Sequence, residues 1–442
     1  MLNIHGDRYG DCEGTSRRNF LRVGSLGLTG LALPDMLRIR AQAARLGTSS
    51  KNTAVIQIVL GGGPTHIDTF DPKPDAPREF KGEFKTIPTA LPGVQFTELL
   101  PRCAQAMGKM ALIRSLTHET SDHLAGTHWI MTAFNSTQQQ SQKNERPSVG
   151  AVASKMKGPN GPGVPPYVAL GNGFLGVNYS GGAYLGPGYN PFNFGGDPSS
   201  AARPRDLDPP GGLTLDRLDD RRSLLGKLDR INRKRDVSGT MEGLDKFTAQ
   251  AYEMVTGPTA RNALDLANED PRLRDRYGRN RLGQSCLLAR RLVEAGVTFV
   301  TISDGNWDHH GQIFQLCRQQ VPPLDAAVAT LVEDLHDRGL ADNVLVLVWG
   351  EFGRTPRVEG NGRNHWPGSM FALMAGGGLK MGQVIGATGR KGESPSERPL
   401  RPEHVIRTVY QVLGIDPLHE FPNESGRPMP ILNQADVISE LI

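Results

Sequence analysis

The sequence predicts an α/β protein built on a largely parallel sheet with helices on both faces. Three observations predict it. Short, nearly continuous apolar runs rich in β-branched residues recur along the 442 residues, and such runs suit strands buried on both faces. Amphipathic segments with helical spacing alternate with those runs. Gly (53) and Pro (32) exceed average usage without any Gly-X-Y period, which places the surplus in loops carried by a rigid scaffold.

Taken in order, Thr53 to Leu60 is the first strand and enters Gly61-Gly62-Gly63. Met110 to Arg114 reads as a second strand and Tyr167 to Leu170 as a third. Residues 158–212, crowded with Gly, Pro and Asn, read as an irregular, surface or lid-like insertion. Leu215, Leu218, Leu224, Leu225 and Leu228 then open a helical texture. Arg281 to Ala295 is a helix stopped by Gly296, and Val297 to Ser303 is a strand. A helix over Leu324 to Arg338, closed by Gly339, precedes the strand Val344 to Trp349. A strand at Phe371 to Ala375 and a helix at His404 to Leu413 complete the series. No internal repeat is present, so 53–442 reads as one elaborated domain.

The first 44 residues read as an export leader rather than a fold element. Ser16-Arg17-Arg18-Asn19-Phe20-Leu21-Arg22 precedes a Gly-rich apolar run, Val23 to Leu33, which is too short for the roughly 20 residues a bilayer needs. Ala41-Gln42-Ala43 supplies a small-residue cleavage site, and the paired arginines resemble the twin-arginine type. A basic amphipathic surface helix is the plainer alternative.

Composition excludes several classes. Fifty basic against 46 acidic residues leave a net charge of +4 without a basic block, so no nucleic-acid partner is expected. No stretch reaches membrane-spanning length. Cys12 lies in the leader, and Cys103, Cys286 and Cys317 can neither all pair nor form a C-x-x-C site. No Walker or dinucleotide-binding glycine motif occurs.

In an open α/β sheet, ligands bind beyond the carboxyl ends of the strands. Seven of the 11 histidines (66, 118, 123, 128, 309, 310 and 365) fall in such segments, together with Asp68, Asp122, Asp308 and Glu351. Imidazole and carboxylate donors without cysteine describe an open catalytic site for zinc, manganese or iron rather than a structural thiolate site. Asp308 and His310 have D-x-H spacing, which can place both side chains on one side of an extended turn. Each piece has a plainer reading. Asp68 can be a capping residue, His118 and His123 surface histidines, and Glu351 an ion-pair partner of Arg354 or Arg363. The three glycines make either an anion-binding nest or a tight turn.

Several motifs carry a resemblance. They are Gly62-Gly63-Pro64-Thr65-His66-Ile67-Asp68-Thr69-Phe70-Asp71-Pro72-Lys73-Pro74, Arg276-Tyr277-Gly278 and Leu288 to Val297. With them go Trp307-Asp308, His310, Gly350-Glu351-Phe352-Gly353-Arg354-Thr355-Pro356, Gly362-Arg363, His365-Trp366 and Ala375 to Gly378. In these the chain resembles the bacterial domain-of-unknown-function 1501 family, from about residue 16 to the end, and that family is related to the alkaline phosphatase and sulfatase superfamily.

The resemblance implies a three-layer α/β/α sandwich, alkaline phosphatase-like, with divalent metals (zinc, manganese or calcium) at the strand ends. It implies Asp68, Asp308, His310, Glu351 and His365 as ligands, with His123 near the position of the superfamily nucleophile and a further metal candidate. Ser121 and Thr117 are the candidate nucleophiles, and Arg354 or Arg363 would clamp the anion. Two departures stand out. Asn364 replaces the usual Asp, which predicts a weaker metal position, and His309 replaces the usual Thr. The expectation is a periplasmic or extracellular metal-dependent hydrolase of phosphate or sulfate esters. Its substrate would be a small anionic ester or a sulfated or phosphorylated glycan, and its export partner the twin-arginine machinery. The rival expectation is a metal-binding but inert envelope protein.

Overall fold

A computed structural model describes residues 52–136, 144–171, 179–200 and 257–442. The leader and the leucine-periodic stretch of 213–228 lie outside these residues.

Eight strands form the central sheet. They are β1 (Ala54–Leu60), β2 (Ala111–Leu116), β3 (Tyr167–Leu170), β4 (Phe192–Phe194), β5 (Phe299–Asp304), β6 (Val344–Trp349), β7 (Met370–Gly376) and β8 (Gln383–Ile385). Their spatial order is β8-β2-β7-β6-β1-β5-β3-β4. β1 lies at the centre, parallel to both β5 and β6. β7 is the reversed strand, antiparallel to β6 and β2, so the sheet is mostly but not wholly parallel.

Every residue of β1 and β6 is buried, which is why both read as continuous apolar runs. The pleat divides them between two cores. Ala54, Ile56, Ile58 and Leu60 join Val344, Val346 and Val348 on one face. Val55, Val59, Leu345, Leu347 and Trp349 face the other. Helices cover each face. The first core is closed by α1 (Pro101–Ala106), α4 (Arg281–Glu294) and α5 (Ile313–Asp337). Against the second pack α2 (His123–Thr132), α3 (Val149–Lys157) and α6 (Pro402–Leu413). That is the predicted sandwich.

Two expectations are corrected. The helix expected to start at Leu324 begins at Ile313 and runs through Pro322 and Pro323. Buried Ile313, Cys317 and Val321 continue the stripe of Leu324, Val328, Leu331 and Leu335. Burying three such side chains contributes about 1.5–3 kcal/mol each, against about 3 kcal/mol or more for an interior proline, so packing overrides the breakers. The stretch 158–212 is not wholly a surface insertion either. Within its described residues β3, the strand expected at Tyr167 to Leu170, pairs in parallel with the unanticipated β4 to build one edge of the sheet, and Tyr179 is buried.

Among the described residues no helix is long and apolar enough to cross a membrane.

Candidate metal centre at the strand ends

Four loops meet beyond the carboxyl ends of β1, β2, β5 and β6. After β1, Gly62 holds φ +114°, and a Cβ there would stand 2.5 Å from the Asp308 backbone nitrogen. Only glycine lets the loops after β1 and β5 touch. Gly62 N–H then donates to Glu351 Oε1 at 2.8 Å. The glycine run thus serves a carboxylate of the protein itself.

Helix α2 begins one residue after its cap. Asp122 accepts from the Ala125 amide at 2.9 Å, so His123 is the first helical residue. After β6, a two-residue antiparallel ladder pairs His365 with Arg354 and Trp366 with Gly353. It carries His365 back across the loop that holds Glu351.

Three imidazoles surround Asp308. His310 Nε2 lies 2.9 Å and His365 Nε2 3.1 Å from Asp308 Oδ1, and His123 Nε2 lies 3.4 Å from Oδ2. His123, Asp308 and His365 form a group able to hold a metal ion. Each ring has an oxygen acceptor on its other nitrogen. His123 Nδ1 donates to Glu351 Oε1 at 2.7 Å, His365 Nδ1 to the Ser121 carbonyl at 2.8 Å, and His310 Nδ1 to Asn364 Oδ1 at 2.9 Å. Since these oxygens accept, each neutral ring carries its proton on Nδ1 and turns a bare Nε2 toward Asp308. His310 Nε2 and His365 Nε2 are only 3.0 Å apart. Lone pairs therefore face lone pairs and a carboxylate. Glu351 adds to this, since its side chain is wholly buried and Oε2 has no hydrogen-bond partner. A convergence of acceptors with oxygen-bound outer nitrogens is the donor set of a metal-binding histidine cluster. The residues present fit a divalent cation.

Without a cation, electrostatics instead favour a proton on His123. Burial disfavours a charged His123 ring, but its bond to Glu351 and the charges of Glu351 and Asp308 outweigh that and raise its pKa. Burial works to raise the Asp308 carboxyl, yet Arg354, His123 and His365 hold it far below the carboxylate range. Burial and the neighbouring His123 charge lower His365.

The remaining expected residues sit differently. Asp68 is fully buried against Arg363, outside the imidazole group, with Nε to Oδ2 at 2.7 Å. Arg354 reaches Asp308 and the carbonyls of Gly62, Gly63 and Arg363. The ion pair anticipated for Glu351 with either arginine is thus replaced by pairs of those arginines with Asp308 and Asp68. Ser121 is exposed, while the Thr117 hydroxyl donates to the Pro367 carbonyl at 3.3 Å. His118 Nε2 donates to the Glu351 carbonyl at 2.6 Å and anchors that backbone. His309 points away, onto Gln320.

Asn364 is the residue whose role the sequence misses. It had signalled itself only as a departure from the motif. Its amide nitrogen donates to Glu359, which turns its oxygen onto His310. Replacing exposed Asn364 by alanine should lower zinc or manganese affinity by about 10–100-fold. Stability of the metal-free protein should stay within about 0.5 kcal/mol. Unchanged affinity in a competition titration would remove His310 from the ligand set.

A family model comparison decides membership. The DUF1501 family, described as a protein of unknown function, matches residues 52–442. The chain belongs to the DUF1501 family. No curated protein sequence matches it. Solved structures give distant likenesses to this DUF1501 chain. The PsFucS1 sulfatase from Pseudoalteromonas sp. is 12% identical, covering 86% of this chain and 70% of its own, with TM-score 0.36. A protein in the alkaline phosphatase superfamily from Vibrio parahaemolyticus is 11% identical over 83% and 67%, with TM-score 0.39. Alkaline phosphatase from the Antarctic bacterium TAB5 is 11% identical over 82% and 98%, with TM-score 0.37.

Two buried histidines of this DUF1501 chain set a pH dependence of folding. His66 and His118 are pushed down to about 4 from 6.5, chiefly by burial. Between those values the unfolded chain binds more protons than the fold, so stability falls as pH drops. For fully buried His66 the loss is on the order of 3 kcal/mol. His123, raised, acts in the window above 6.5 instead, its contribution present below and lost as pH rises. Urea midpoints measured in EDTA should fall from pH 7 to pH 4.5, and equal midpoints would contradict the burial of both rings.

Proposed function

We propose that this chain is an exported, metal-dependent hydrolase of phosphate or sulfate esters. The observation that carries the reading is the set of bare imidazole nitrogens turned on Asp308 beside the unpartnered Glu351 Oε2. His123, Asp308, His310 and His365 would hold the cation, with Glu351 beside them. Three imidazoles favour zinc or manganese over calcium, which prefers oxygen ligands. A divalent cation there supplies Lewis-acid polarisation of an ester oxygen.

The chain's own groups do the rest. The N-terminus of α2 offers an electropositive end beside the cluster. Of the two candidate hydroxyls, Ser121 is the better placed nucleophile, being exposed on the residue whose carbonyl holds His365. The substrate class is a small anionic ester or a sulfated or phosphorylated glycan. The leader motif of residues 16–43 supports passage through the twin-arginine machinery to the periplasm or beyond.

One observation favours the inert metal-binding alternative. All five N–H groups of Arg363 end on protein acceptors, and so do four of the five on Arg354. Neither is free to clamp an anion from two sides. The deciding experiment combines metal analysis of protein folded in the cytoplasm with a panel of aryl phosphates, phosphodiesters and aryl sulfates. Turnover abolished by Glu351→Ala and reduced by Ser121→Ala supports the hydrolase. Bound metal with no turnover above the Glu351→Ala background establishes the inert reading.

A further inference from the structure

We infer that the centre holds one divalent cation per chain, and that the Arg363 guanidinium permanently fills the cationic role beside Asp68. This rests on the metal-binding reading above and goes beyond it, because Asp68 is the carboxylate that the sequence motif offers as a ligand.

The geometry around Asp68 is closed. Arg363 approaches edge-on, Nε to Oδ2 at 2.7 Å and Nη2 to Oδ1 at 3.2 Å, and both side chains are 0% exposed. Thr65 adds a hydroxyl donor to Oδ2 at 2.8 Å. The chain also folds over the other oxygen. At Gly82, φ +74°, a Cβ would stand 2.5 Å from Asp68 Oδ1 and 3.1 Å from the Phe314 ring. The guanidinium cannot swing aside to admit an ion, because Phe80, Thr355 and Pro356 carbonyls take its remaining N–H groups. Displacing it would leave a buried cation without its counter-charge, among the costliest changes in a protein interior.

Charge leads to the same number. Asp68, Asp308 and Glu351 face Arg354 and Arg363, with Arg354 on Asp308 and Arg363 on Asp68. With neutral imidazoles the group carries one net negative charge. One divalent cation brings it to one positive, which attracts an anionic ester. A second would raise it to three positive with both guanidiniums still in place, a repulsion between close charges that a buried site resists. Of the three carboxylates, Glu351 keeps an unpartnered oxygen and Asp308 faces three imidazole nitrogens, whereas both Asp68 oxygens are answered by Arg363 and Thr65. Asp68 has no comparable unmet demand.

The test counts ions on the full chain. Metal-stripped protein is titrated separately with zinc and manganese, and bound metal per chain is read by native mass spectrometry and elemental analysis. One ion per chain is expected, lost in His365→Ala and retained in Asp68→Asn. Two ions per chain in the wild type, or loss of the single ion in folded Asp68→Asn, overturns the inference while leaving metal binding intact. Binding of neither metal overturns the metal-binding reading itself. The wild-type count needs no variant to fold.

Discussion

Asp68→Asn should lower the free energy of unfolding by about 3–5 kcal/mol, the usual loss when one partner of a buried ion pair is removed. The expectation comes from what is left behind. Arg363 is completely buried, and an amide in place of the carboxylate leaves its charge without a counter-ion. The Thr65 hydroxyl can still donate to the new amide oxygen, so hydrogen bonding alone does not account for the loss. Urea unfolding of the metal-free protein reads this directly. A change below about 1 kcal/mol would match an exposed pair and contradict the closed geometry.

Glu351→Gln should have the opposite character. The amide oxygen can still accept from Gly62 N–H and from His123 Nδ1, so the loops stay joined. Its NH2 group replaces the unpartnered Oε2, and the negative charge behind the His123 ring that favours a cation is lost. Zinc or manganese affinity should fall by about 10–100-fold, the range for groups that orient ligands. In EDTA the variant should be at least as stable as the wild type. A buried carboxylate oxygen without a partner is itself destabilising, and a neutral amide is less so. Functional sites commonly hold such locally unfavourable groups. Tight metal binding with reduced metal-free stability would make Glu351 a structural residue instead.

The strands legible in the sequence were those whose burial on both faces leaves no alternation to misread, β1 and β6 above all. The three-residue strands β4 and β8 carry no period. Nothing local marks β7 as reversed either, because direction is decided by neighbours and not by composition. Pro322 and Pro323 hid the first part of α5, since a stripe continuing across breakers is recognisable only against the core it packs on.

At the site, residue type and strand-end position brought forward His123, His310 and His365, which the structure gathers around Asp308, and Glu351, which it places behind His123. The arginines were different. Arg354 and Arg363 look alike in sequence whether they face a substrate or a carboxylate of the protein. The choice is made by the ladder of residues 353–366 and by the closure of Gly82 over Asp68. Asn364 was visible as an exception, but its orienting bond depends on Glu359.

The separation in chain of the groups that meet at the centre has a kinetic consequence. Gly62 and Glu351 are 289 residues apart, Asp68 and Arg363 295, and Ser121 and His365 244. Contacts this distant in sequence form slowly, because long loops must close before any bond compensates for their lost entropy. The cluster therefore assembles only when the first and last thirds of the chain have docked on the same sheet. During refolding, recovery of ion binding should trail recovery of helical signal, making the ion a chronometer for the final step of folding.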